Sequence, residues 1–115
     1  MARGDVVYVD FPAPPGGAGH EQAGRRPAIA VQTDSVPTAL PTVVLVPLTT
    51  KLAALRYPFT IRVAPSPQNG LTHPSVLLVF QLRVTDQRRI LRTVGRLERQ
   101  YLAQLDAELR RLLDL

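Results

Sequence analysis

Hydrophobic and polar positions fall into six short runs and one long amphipathic stretch, divided by proline and glycine. DVVYVDF at 5–11 has two adjacent valines and then alternates, the period of a strand with one buried face. PAIAVQT at 27–33 opens on a proline and holds a short apolar run, and TVVLVPLT at 42–49 is an apolar strand interrupted by Pro47. YPFTIRV at 57–63, SVLLVFQLRV at 75–84 and ILRTVGRL at 90–97 bring the predicted strands to about six. In the tail, Leu102, Leu105, Leu109 and Leu112 recur at helical spacing, with Tyr101 and Leu113 widening the stripe. The spacing predicts a helix over about 98–113 that packs on the sheet, with an i,i+4 pair of Asp106 and Arg110 on its outer face. A helix face left open for a partner is the lesser alternative. The pattern sums to a mainly β class: a small, antiparallel, partly closed β-barrel with a C-terminal helix.

Length and composition narrow the picture without deciding it. A chain of 115 residues fits one domain, 1–115. No apolar run approaches bilayer-spanning length, so no membrane association is expected. The opening MARGDVVYV lacks the apolar stretch and small-residue cleavage site of a secretory signal, so a cytoplasmic location is expected. There is no cysteine, and the two histidines, His20 and His73, are few for a metal centre, so neither a metal nor any other cofactor is expected.

Charge adds a direction. Only Lys51 among the 14 basic residues is a lysine, and the formal net charge is +5. Segment 96–115 is neutral, which leaves the whole excess in residues 1–95. Guanidinium groups meet phosphate as a planar fork and stack on bases, so this bias favours a polyanionic partner such as nucleic acid. GC-rich coding, which also enriches arginine and proline, explains the composition equally well.

Between the first two predicted strands lies PAPPGGAGHEQAG, a loop of about 13 residues from Pro12 to Gly24 with no periodicity. Loops of that length in small domains are commonly functional or mobile. It leads into Arg25 and Arg26, and a flexible active-site loop over about 12–25 is the expectation.

Several blocks carry a family resemblance. Arg3-Gly4-Asp5-Val6 opens a strand; Gly19-His20-Glu21-Gln22 and Gly24-Arg25-Arg26-Pro27 precede the second; Val46-Pro47-Leu48-Thr49 closes the third. Gln81-Leu82-Arg83-Val84-Thr85-Asp86 follows, then Gly95 and Leu97. In order and spacing over nearly the whole chain these blocks resemble the MazF/PemK family of toxin endoribonucleases. The resemblance implies an SH3-like, CcdB/PemK-type β-barrel, a homodimer, and metal-independent cutting of single-stranded RNA at short sequences, which arrests translation and growth. It also implies neutralisation by a MazE-like antitoxin that lays an extended segment across the RNA-binding surface.

A metal-free ribonuclease must position the RNA 2′-hydroxyl for attack on the adjacent phosphorus, stabilise charge on the non-bridging oxygens, and protonate the departing 5′-oxygen. The family's catalytic pair carries over as Arg26 and Thr49. Arg26 is expected to bind the scissile phosphate and Thr49 to hold it; with a pKa above about 12 a guanidinium makes a poor general acid, so electrostatic stabilisation is its assigned role. The competing reading of Arg26 is a solvated loop arginine or a partner of Glu21. His20 is a candidate base or an RNA contact, and Glu21, Gln22, Arg25 and Gln81 are candidate RNA contacts, Arg25 equally a solvated neighbour. Arg83 and Asp86 are read as a structural brace, and His73 as a turn residue. In one branch of the family an arginine and an aspartate three and one positions before the glutamine take part in the reaction. Here those positions are Leu78 and Phe80, so that mechanism does not carry over, and Phe80 is left to the core or to a base stack.

Three alternatives follow from the same residues. A CcdB-type gyrase poison is disfavoured, because the chain has no tryptophan and ends in Leu113-Asp114-Leu115. A peptide-binding SH3-like adaptor would cluster surface aromatics, of which there are few. A binder that kept the fold and lost cleavage is the third.

Overall fold

The computed structural model describes residues 1–12, 23–34 and 40–115. In chain order these hold β1 (Asp5–Phe11), β2 (Gly24–Ala30), β3 (Thr42–Thr49), β4 (Thr60–Val63), β5 (Ser75–Leu78), β6 (Arg83–Asp86), β7 (Ile90–Arg96) and the helix α1 (Arg99–Leu113). All pairings are antiparallel, in the order β4-β5-β3-β2-β1-β7, with β6 joined to β3.

Strand β3 organises the sheet through its proline. On one edge it pairs with β2, with Ala28 opposite Pro47 and Ala30 opposite Leu45. On the other edge it pairs first with β6, from Thr42 to Leu45, and then with β5, at Leu48 and Thr49. Pro47, which has no N–H to donate, falls in the gap between those two partners. The predicted single strand 75–84 accordingly breaks: a 3₁₀ turn, Val79–Gln81, separates β5 from β6.

Other boundaries shift for local reasons. Strand β2 begins at Gly24 rather than Pro27, because β1 runs on to Phe11 and supplies partners, Asp10 opposite Arg25 and Phe11 opposite Gly24. The predicted strand at 57–63 starts only at Thr60, after a 3₁₀ turn over Leu52–Arg56 and a left-handed Phe59 at φ 58°. A bulky residue rarely adopts that conformation.

Side chains alternate between two apolar clusters on opposite faces of β1, β2 and β3. Val6, Ile29, Val46 and Leu48 join Ile61, Val63, Leu77, Val79, Leu97 and Leu105 in the main core. Val7, Val9, Phe11, Ala28, Ala30, Val43 and Leu45 form the second cluster. Helix α1 packs on the main core: Leu105 is fully buried, and Tyr101, Leu102, Leu109 and Leu112 pack around it. Leu113 leaves the expected stripe and is exposed, and Asp106 pairs with Arg3 instead of Arg110. Among the described residues no helix is long and apolar enough to cross a membrane.

The sheet does not close by strand pairing, since β4 and β7 are its two ends. The connection between β4 and β5 spans the gap. The Arg96 N–H donates to the Gln68 carbonyl at 2.9 Å, and the fully buried Asn69 bonds through Nδ2 to Glu98 at 3.0 Å and to the Ala64 carbonyl at 2.9 Å. Contact there is close enough to demand glycine: a Cβ on Gly95 would lie 2.4 Å from the Asn69 carbonyl carbon.

Candidate active site

Arg26 and Thr49 lie on neighbouring strands, and the register decides whether they meet. Ala28 is opposite Pro47. Carried two residues further, that register sets Arg26 opposite Thr49, and alternation puts both side chains on the face of Ala28, Ala30, Val43 and Leu45. On β1 the residue opposite Arg26 is Val9, also of that face.

Each side chain is held by local backbone. The Nε of Arg26 donates to the Ala23 carbonyl at 2.8 Å, which fixes the direction of the guanidinium while its two terminal nitrogens form the fork that suits a phosphate. Thr49 is buried, with 4% exposure, and its Oγ1 accepts from the Lys51 N–H at 3.2 Å. The hydroxyl proton is the donor that such a threonine offers.

Gln81 approaches the same region from the other edge of β3. Leu45 is opposite Arg83, the last pair of that ladder, and Gln81 ends the 3₁₀ turn two residues before it. A cavity of about 360 Å³ is lined by Phe80, Gln81, Leu82, Arg83 and Val84. The Arg83 guanidinium lies over the Phe11 ring, 4.6 Å from its centroid. Arg83, opposite Leu45, shares the face of Arg26 and Thr49, and Gln81 lines a cavity with it; together they offer two guanidiniums, a hydroxyl and an amide, groups suited to a phosphodiester and a base edge.

Arg25 does not join them. It is exposed, sits opposite Asp10, and alternation turns it to the other face of β2. His20, Glu21 and Gln22 lie outside the described residues.

The family described as PemK-like, MazF-like toxin of type II toxin-antitoxin system matches residues 2–113. The chain belongs to the MazF/PemK toxin family. Endoribonuclease MazF9 of Mycobacterium tuberculosis is 34% identical, over 100% of this chain and 98% of its own length. Endoribonuclease EndoA of Bacillus subtilis is 26% identical, over 95% and 90%. The crystal structure of MazF from Deinococcus radiodurans superposes with a TM-score of 0.80 at 27% identity, over 100% of this chain and 97% of that one. A mycobacterial endoribonuclease solved in complex with its cognate antitoxin shares the fold, with a TM-score of 0.75 at 19% identity over 100% and 96%.

The MazF/PemK motif blocks divide into scaffold and site. Arg-Gly-Asp is scaffold: Arg3 donates through Nε to the Val31 carbonyl at 3.0 Å and pairs with Asp106, Gly4 N–H donates to the Ala30 carbonyl at 2.7 Å, and Asp5 meets Arg96 at 3.3 Å. Gly4, at φ 95°, also leaves room for Leu102, whose Cδ1 would be 3.0 Å from a Cβ there. Asp86 is scaffold as well, but its partner is Arg88: it accepts from the Arg88 N–H at 2.9 Å and pairs with the side chain, which holds its carboxyl down at about 2. His73 bonds its neighbour Thr72 in a turn. Leu78 is buried core, whereas Phe80 lines the cavity. Sequence reasoning missed the stack of Arg83 on Phe11, which joins residues distant in the chain.

Proposed function

We propose that this MazF/PemK-family chain is the toxin of a type II toxin-antitoxin pair and cuts single-stranded messenger RNA without a metal ion, leaving 2′,3′-cyclic phosphate and 5′-hydroxyl ends and so stopping translation. The observation that supports the reading is the register of β2 on β3: continued two residues past Ala28 and Pro47, it turns Arg26 and Thr49 to one face, the face of Arg83, which lines a cavity with Gln81. The 2′-hydroxyl is an internal nucleophile, so the protein's task is positioning and charge stabilisation. The fork of Arg26 meets the non-bridging oxygens as charge builds on them, and the Thr49 hydroxyl donates to the same phosphate. Gln81 reads a base edge next to the cleaved bond. The endoribonuclease names of MazF9 and EndoA support the activity. The complex of the mycobacterial relative supports a proteinaceous antitoxin as partner. A homodimer, as the family resemblance implies, completes the proposal.

The test is incubation of the purified protein with long single-stranded RNA in EDTA, followed by sequencing of the ends. Cutting at a short recurrent sequence with cyclic-phosphate ends is expected. RNA left intact, or cut only after metal is added, would sink the proposal.

A further inference from the structure

Apart from the Arg26 and Thr49 pair, two aromatic rings and a cation meet in one group next to Gln81 in the chain. The Tyr57 and Phe80 rings meet with centroids 5.5 Å apart and planes tilted by 57°. The Arg56 guanidinium lies 4.9 Å from the Tyr57 centroid, and its Nη2 donates to the Tyr57 hydroxyl at 3.0 Å. Arg56 is exposed, and both rings are half-buried. None of the three belongs to either apolar cluster.

Two features hold this group in place. Phe59 turns left-handed at φ 58°, and Arg111 lies over its ring at 5.3 Å. Phe59 packs on the main core while Tyr57 stays outside it. The Phe59 carbonyl also accepts from the Val79 N–H at 3.0 Å, which ties the 57–59 segment to the turn that bears Phe80. The rings are thus fixed to each other by backbone, and the rare conformation at Phe59 persists because its surroundings determine it.

The position relative to the site gives the group a use. Phe80 directly precedes Gln81 and walls the same cavity, while Arg56 and Tyr57 end the segment that follows Thr49. An aromatic wall beside an amide is what a single-stranded base requires: a flat face to stack on and a group to pair with its edge. We infer that Phe80, backed by Tyr57 and Arg56, is the stacking wall for a nucleobase flanking the scissile phosphate and sets which base that position accepts. The inference rests on the endoribonuclease reading above.

The experiment compares wild type with Tyr57→Leu, Phe80→Leu and Arg56→Ala on a random-sequence single-stranded RNA pool with end sequencing, and on one cleaved oligonucleotide for KM and kcat. Each leucine variant should raise KM roughly tenfold, the scale of one lost stack. It should also flatten base preference at one position beside the cut, with kcat within about twofold and Phe80→Tyr restoring both KM and preference. Arg56→Ala, at an exposed side chain that does not threaten the fold, should raise KM about threefold. A wild type that leaves RNA uncut would remove the endoribonuclease reading itself. A wild type that cuts while folded variants keep its KM and base preference, or while Phe80→Tyr fails to restore them, would overturn the wall alone.

Discussion

Arg25 and Arg26 are adjacent, chemically identical, and placed on opposite faces of one strand. Their difference is a matter of register, with Asp10 opposite one and Val9 opposite the other. Arg26→Ala is therefore expected to lower kcat on RNA at least a hundredfold, the scale of one lost donor to a developing oxyanion, with an unchanged melting temperature. Arg25→Ala should cost only a few-fold, in KM; equal losses in steady-state kinetics would mean that alternation along β2 misassigns the pair. Residue types and motif order singled out Arg26 and Thr49 in the sequence. They could not show that Arg83 lies over Phe11 or that Tyr57 meets Phe80, because such contacts depend on how the sheet curls.

At the scale of elements, periodicity located every strand and the helix but not their breaks. SVLLVFQLRV reads as one continuous strand, and what divides it is Pro47 on the neighbouring strand, a cause that no local pattern contains. Strand β2 likewise reaches back into charged residues because β1 continues opposite them. The helix follows its leucine stripe, apart from Leu113 in its last turn. Two substitutions probe this level. Leu105→Ala should destabilise by about 2–5 kcal/mol in urea titration, as expected for a fully buried leucine. Gly95→Ala should destabilise by more than about 1 kcal/mol, because its Cβ would meet backbone, which yields less readily than a side chain. If Gly95→Ala melts like wild type, the β4–β5 connection does not close the sheet.

At the scale of the whole molecule, the fold class was readable while its closure was not. Alternating strands and a terminal amphipathic helix pointed to an antiparallel barrel. That the barrel is completed by a loop anchored on Asn69 and Glu98 depends on side-chain bonds across distant segments. Net charge belongs to this scale too. With +5 overall, RNA affinity should carry a counterion-release term. If about three phosphates are neutralised, the uncleaved complex of Arg26→Ala should show a log–log salt slope near −2, measured by fluorescence anisotropy. A flat salt response would place the basic residues outside the RNA path.

The clamp at the chain's beginning has a consequence in time. Arg3 is joined to Asp106, 103 positions later, and β1 takes β7 as its outer neighbour. During synthesis the first strand can pair with β2 early but must wait for β7 and α1, because partners so far apart in sequence cannot meet while the later ones are still inside the ribosome. This part of the frame thus closes only after residue 106 has been made, and a chain cut short before it lacks the clamp between Arg3 and α1.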